Sequence, residues 1–232
     1  MLQLKQFRYH TDNLGYLVYG EKHAIAVDGG AHGGILSFIK TSNLNLLYVT
    51  NTHGHADHTS GNQALLHESN ARLLLYERIK DAEIELEGRK IKVYGTPGHT
   101  ADSVCFHVDD TLITGDTLFN GTIGNCFTGD LKVFYHSIKK IMSLSEGTVI
   151  YAGHDYVEEA MNFARRLEPE NEYIEVFLQN YRPDHVFSRL VEELRVNPYL
   201  RFNERSIINV LKRNRLPWKS EWQRWQSLMS ID

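Results

Sequence analysis

The sequence predicts an α/β body over residues 1–168 followed by a helical subdomain over residues 169–232. Three observations predict it. Short apolar runs alternate with amphipathic, helix-length stretches through the first two thirds of the chain, the pattern of helices laid on a largely buried sheet. Four of those runs are followed directly by His or Asp in small-residue loops. Beyond Tyr156 the strand signals stop, and helical periodicity takes over between the stops at Pro169, Pro183, Pro198 and Pro217.

Taken in order, 2–9 alternates in part and Asp12-Asn13 makes a turn. Residues 16–19 are rich in β-formers, and Ala24-Ile25-Ala26-Val27 is an apolar strand stopped by Asp28-Gly29-Gly30. A short helix fits 35–39, a buried strand 46–49, a helix 64–68 and another strand 73–76. Residues 84–93 fit a hairpin turning at Glu87-Gly88. Strands at 104–108 and 111–114 are joined by Asp109-Asp110. A helix at 131–144 and a strand at 149–152 complete the body. Helices are expected at 158–167, before the boundary, and at 174–181, 190–196 and 207–212 in the tail. Trp218, Trp222 and Trp225, spaced i, i+4, i+7, predict one packed helix face.

At 232 residues the chain can bury one full core plus an appended subdomain. Its net charge of −4 gives no overall field for nucleic acid. The two cysteines, Cys105 and Cys126, form no CxxC pair, which argues against a disulfide framework and for a reducing compartment. The first residues lack a basic segment followed by an apolar stretch, and no apolar run reaches the ~18 residues that would span a bilayer. A cytoplasmic location, without a membrane or nucleic-acid partner, is the expectation. Between Arg195 and Trp225 eight Lys and Arg stand against Glu204 and Glu221. That stretch predicts a solvated basic face, or cations holding an anionic substrate.

The chemistry is concentrated in Thr52-His53-Gly54-His55-Ala56-Asp57-His58, after the 46–49 strand. His99 follows the 91–93 run, Asp116 follows 112–113, and His154 follows 149–151. Imidazole and carboxylate at this density are costly to bury unless a cation binds them. Four strand ends converging on one sheet edge would gather all seven. His53, His55 and His99 are assigned to one ion, Asp57, His58 and His154 to a second, and Asp116, with two oxygens, bridges. Such a donor set suits two divalent ions, zinc first, with iron or manganese as alternatives. Without thiolate ligands, positions stay open for water, the mark of a catalytic site. The other histidines, His10, His23, His32, His67, His107, His136 and His185, read as ordinary solvated or packed side chains.

This pattern resembles the metallo-β-lactamase fold, which implies an αββα sandwich with the metals at one edge. Thr96-Pro97-Gly98-His99-Thr100, Thr114-Gly115-Asp116-Thr117-Leu118-Phe119 and Tyr151-Ala152-Gly153-His154-Asp155-Tyr156 are similar to one branch, glyoxalase II, the hydroxyacylglutathione hydrolase. So are Asn162-Phe163-Ala164 and the segment ending Asn197-Pro198-Tyr199-Leu200-Arg201. The resemblance implies a thioesterase in which hydroxide shared by two metals and oriented by Asp57 attacks a thioester carbonyl, with glutathione as a possible carrier. Tyr156 matches the aromatic residue that follows the metal His and is a candidate substrate contact. Asn125 stands where the family carries Lys, and Phe127 where it carries Tyr. Lys212 and Arg215 are loose candidates for the family's basic C-terminal pair. Hydrolase chemistry is therefore implied more strongly than glutathione. The alternatives are a single-iron persulfide dioxygenase, against which the 125–128 segment argues, or a hydrolase of the same fold with another substrate.

Overall fold

The computed structural model describes residues 1–231. The body runs β1 (Gln3–Tyr9), β2 (Asn13–Tyr19), β3 (His23–Val27), α1 (His32–Thr41), β4 (Asn45–Thr50), α2 (Ala56–Thr59), α3 (Asn62–Glu68) and β5 (Arg72–Leu74). It continues through α4 (Tyr76–Ile79), β6 (Glu83–Leu86), β7 (Arg89–Gly95), β8 (Val104–Val108), β9 (Thr111–Gly115), α5 (Leu131–Met142), β10 (Val149–Ala152) and α6 (Val157–Leu167). Then come α7 (Tyr173–Asn180), β11 (Ser188–Arg189), α8 (Leu190–Val196), α9 (Arg205–Arg213) and α10 (Glu221–Leu228). Two sheets form, in the orders β1-β2-β3-β4-β5 and β11-β10-β9-β8-β7-β6.

Side-chain alternation along the strands explains the layering. Tyr16, Val18, Ile25 and Val27 point between the sheets and meet Ile91, Val93, Phe106 and Ile113. Their neighbours Leu17, Ala24 and Ala26 point the other way, onto Ile35 and Ile39 of α1 and Leu65 of α3. On the second sheet Cys105, Leu112 and Ile150 face outward onto Phe134, Ile138 and Ile141 of α5. Tail residues Leu190, Ile207, Leu211 and Trp225 join that same cluster. The result is the expected αββα sandwich, with α9 and α10 of the tail on the outer face of the second sheet and Ile174, Phe177, Val186 and Val196 in the cluster between the sheets. Among the described residues no helix is long and apolar enough to cross a membrane.

Three local expectations are corrected. The 73–76 strand stops at Leu74, and Tyr76 opens α4, because β5 pairs with β4 through only three residues at the sheet edge. Trp218 is not on the helix of the other two tryptophans. Ser220 caps α10, its hydroxyl accepting from the Gln223 N–H at 3.2 Å, so the helix starts after Trp218. Trp225 is fully buried in the core, Trp222 packs beside it, and Trp218 is 37% exposed. Finally, the two-residue β11 pairs antiparallel with β10, Val149 opposite Arg189. It is too short to show a period in sequence.

Glu193 of α8 ties the tail to the loop after β9. Its carboxylate accepts from the Gly121 N–H at 3.0 Å, the Ser188 hydroxyl at 2.7 Å and the Asn197 amide at 2.9 Å. Complete burial outweighs these donors and pushes its pKa up from 4.5 to about 7. The folded chain therefore holds a proton here that the unfolded chain has released. The contribution to stability is complete below pH ~4.5 and is lost as pH rises to ~7, by an amount on the order of 3 kcal/mol. Glu193→Gln should flatten that slope. Melting temperatures of both proteins from about pH 5 to about pH 7.5 check it; parallel curves would refute it.

Candidate metal centre

The loops after β4, β7, β9 and β10 carry five of the seven residues, and α2, which follows the β4 loop, carries Asp57 and His58. The expectation of one sheet edge is corrected here: β4 belongs to the first sheet and the other three strands to the second. β9 and β10 run parallel, and β7 shares their direction through the antiparallel β8, so their C-terminal ends open together across the seam from β4.

The donor atoms fall into two groups, His53, His55, His99 and Asp116, and Asp57, His58 and His154. In the first, His55 Nδ1 lies 2.9 Å from His53 Nε2 and 3.1 Å from His99 Nε2. In the second, His58 Nε2 and His154 Nε2 are 3.2 Å apart, and Asp57 Oδ2 is 3.5 Å and 3.3 Å from them. Metal–nitrogen bonds of ~2.0–2.1 Å in a tetrahedron separate donors by roughly 3.3 Å, so these spacings fit a shared cation. Asp116 faces both groups. Its Oδ2 is 3.4 Å from His99 and its Oδ1 3.3 Å from His58. That Oδ1 is buried and accepts no hydrogen bond within the protein, an arrangement that a cation would satisfy. Gly153 makes the approach possible, since a Cβ there would sit 2.2 Å from Asp116 Oδ1.

The far nitrogens of His53, His99 and His58 are held in turn. His53 Nδ1 meets the Thr52 hydroxyl at 3.1 Å, and His99 Nδ1–H donates to the Asn125 carbonyl at 2.9 Å. His58 Nδ1–H donates to Asp28 at 2.9 Å, and His154 Nδ1 lies 3.5 Å from Asp12. The partners of His53, His58 and His99 fix the tautomers that leave Nε2 free for a metal, whereas His154 Nδ1 is buried and makes no hydrogen bond within the protein. Burial, helped by the neighbouring His58, lowers His53 to about 4, and burial also lowers His99. Both keep their lone pairs at neutral pH. Burial works to lower His58 as well, but Asp28 and Asp116 reverse it and push the metal-free group up to about 11. Burial would raise Asp116, yet His58, His154 and His53 hold it down to about 2.

Sequence reasoning missed three contributors. Asp28, read as a turn, is fully buried and accepts from the Thr52 N–H and hydroxyl as well as from His58. Asn13 donates to Asp57 Oδ2 at 2.8 Å. Thr52 links His53 to Asp28. A carboxylate closing an apolar strand beside the His-bearing one was the only available signal for Asp28, whose φ is +52°.

Of the expected substrate contacts, Tyr156 stacks on His154 with centroids 5.1 Å apart. Phe127, 66% exposed, stands edge-on to His55 at 5.5 Å and His99 at 5.1 Å. The Asn125 carbonyl holds His99. Lys212 and Arg215 are not brought to this place. The Lys212 ammonium lies 4.1 Å from the Trp218 ring centroid, and neither residue lines the hollow beside Asn125 and Tyr156. The seven other histidines lie outside both donor groups. A larger cavity, about 580 Å³, is lined by residues such as Glu168, Arg201 and Arg213 where body and tail meet, and shares none with the donor groups.

Residues 12–82 and 75–154 match the metallo-beta-lactamase superfamily, and residues 155–229 match the hydroxyacylglutathione hydrolase C-terminus. A hydroxyacylglutathione hydrolase from Prochlorococcus marinus is 30% identical over 236 residues, covering 90% of this chain and 93% of its own. One from Vibrio cholerae is 31% identical over 226 residues, covering 90% of each. Among solved structures, ETHE1 from Myxococcus xanthus superposes with a TM-score of 0.72 at 22% identity, covering 98% of this chain and 90% of its own. That last likeness concerns the fold alone.

Proposed function

The chain belongs to the metallo-β-lactamase superfamily, on its hydroxyacylglutathione hydrolase branch, and on that premise we propose how its residues divide the chemistry. It is a metal-dependent hydrolase of the glyoxalase II type. Our reading assigns His53, His55 and His99 to one divalent ion, Asp57, His58 and His154 to a second, and Asp116 to both. Zinc suits this nitrogen-rich, thiolate-free set first, and iron or manganese next. The observation that carries the reading is Asp116, whose Oδ1 faces His58 of one group while its Oδ2 lies between His99 of the other and His154.

Two cations bound here would supply an acidified water and a Lewis-acidic hold on a carbonyl oxygen. The protein supplies orientation. Asp57 is fixed by the Asn13 amide and directs its carboxylate toward the group-two donors, where it can hold a water's proton. Burial and the neighbouring Asp12 raise the Tyr156 hydroxyl far above neutrality. It therefore stays protonated and has a proton to donate, in our reading to the substrate. Phe127 covers the outer edge of His55 and His99. A thiolate whose conjugate acid has a pKa of about 8.5 leaves without a dedicated acid, so a thioester fits a site that provides none.

We assign residues 169–232 to substrate binding. The free thiols of Cys105 and Cys126 fit a reducing compartment, and we place the protein in the cytoplasm.

A thioester panel that includes S-D-lactoylglutathione, run on protein of measured metal content, tests the function. Turnover of at least one thioester by two-metal protein, lost in His55→Ala, is expected. No turnover with two metals bound, or oxygen uptake on glutathione persulfide with one iron per chain, would sink it.

A further inference from the structure

We infer that Glu193 and Asn197 of the tail are positioning residues for the metal centre, acting through the loop that carries Asp116; this rests on the metal assignment above. The loop leaves β9 at Gly115 and enters α5 at Leu131. Its first half begins and ends on the donor residues. Asp116 stands at the start, and the Asn125 carbonyl accepts from His99 Nδ1–H at 2.9 Å. Between them the chain doubles back, with Leu118 bridged to Ile123 and the Phe119 N–H donating to the Thr122 carbonyl at 2.9 Å. The returning arm passes so close that a Cβ at Gly124 would sit 1.9 Å from the Asp116 carbonyl oxygen and 3.0 Å from His99 Nδ1. In packing this dense, a shift of the tip is carried to Asp116 and His99 together.

The tip is fastened to the tail at three successive residues. The Asn120 amide donates to the Ser188 hydroxyl at 2.7 Å, the Gly121 N–H to both Glu193 oxygens at 3.0 Å, and the Asn197 amide to the Thr122 carbonyl at 3.1 Å. Ser188 and Asn197 in turn donate to Glu193 at 2.7 Å and 2.9 Å, so the three fastenings share one carboxylate. Asn120, Ser188, Glu193 and Asn197 are all fully buried. Gly121 has φ +94°, and a Cβ there would meet the Met161 methyl, so glycine is what lets the tip lie against the tail.

Joining the tail to the body does not require this network. Leu190, Ile207, Leu211 and Trp225 already pack onto the outer core beside Phe134 and Ile138. Burying a carboxyl group is costly, and here the cost is met by hydrogen bonds to the backbone and neighbours of one short loop. A fully satisfied buried network of this kind rigidifies what it touches. What it touches is the segment between Asp116 and the carbonyl that orients His99.

The test uses the full chain, metal-free and loaded with zinc. Glu193→Ala and Asn197→Asp break the fastening, and Leu211→Ala, in the apolar joint, controls for lost stability. In metal-free protein, held equally far below each melting point, amide hydrogen exchange over residues 116–125 should speed up by at least about tenfold in the first two variants and stay within about twofold of wild type in the control. Chelator competition on loaded protein should find at least one ion held about tenfold more weakly in the first two, with the control again close to wild type. Unchanged exchange overturns the inference. So does faster exchange with both ions held as tightly as in the wild type, or an equal loss of affinity in Leu211→Ala. If Glu193→Ala does not fold, Asn197→Asp decides by the same two measurements. A wild type that binds fewer than two ions, while the two variants still free the loop, refutes the metal assignment and leaves the fastening of the Asp116 loop standing.

Discussion

Replacing Asp116 by asparagine is expected to lower kcat/KM for any thioester substrate by at least roughly a thousandfold, about 4 kcal/mol of transition-state stabilisation. The substitution changes almost no volume. It removes a charge that three imidazoles now hold down to about 2, and it turns one of two acceptor oxygens into a donor. Oδ1 faces His58 and Oδ2 faces His99 and His154, so whichever way the amide lies, its NH₂ points at one of the two donor groups. At least one group thus loses an acceptor oxygen. Elemental analysis should find one metal or fewer per chain where the wild type holds two. Full occupancy with unchanged turnover would show that Asp116 bridges nothing.

The second large effect concerns a residue that touches no substrate and no proposed metal. Asp28→Ala should weaken metal affinity by roughly 10–100-fold, the usual result of losing a carboxylate behind a liganding histidine. It should also destabilise the metal-free chain by roughly 3–5 kcal/mol. Asp28 accepts three hydrogen bonds at complete burial, from the Thr52 N–H at 2.8 Å, the Thr52 hydroxyl at 2.7 Å and His58 Nδ1 at 2.9 Å. Alanine strands all three donors and frees His58 to place its proton on the metal-facing nitrogen. Chelator competition reads the first effect and thermal melting the second. With metal in excess, most activity should return, which separates this positioning residue from Asp116. Failure to recover would place Asp28 in the reaction itself.

The ligands were legible because each stands just past an apolar run, where a strand must end and its loop must turn. Val149 to Ala152 followed by Gly153-His154 is the clearest case, with Gly153 needed for the approach of Asp116. Asp28 stands in the same relation to 23–27, but an aspartate before two glycines also has the composition of a plain turn. Only tertiary structure brings it under His58, thirty residues later. Asn13 is hidden for the same reason, because its role depends on the bridge it forms with His154. The layering followed from two-residue alternation, as Leu17 and Val18 demonstrate by entering different cores. Which strands share a sheet did not follow, since the 46–49 and 91–93 runs do not name their partners and pairing is set by contacts far apart in the chain. The tail's basic charge was plain in sequence, yet its direction was not: Lys212 and Arg201 find Trp218 and Glu168 rather than the hollow beside Tyr156.

The donors' split between two sheets has a mechanical consequence. His53 and His55 hang from the first half of the sandwich, His99 and Asp116 from the second, and the other group divides likewise, with Asp57 and His58 against His154. Each bound cation would act as a rivet driven through the seam. Neither half could close around an ion alone, so correct docking of the halves and possession of a working centre become one event, and any misassembled molecule is left inert.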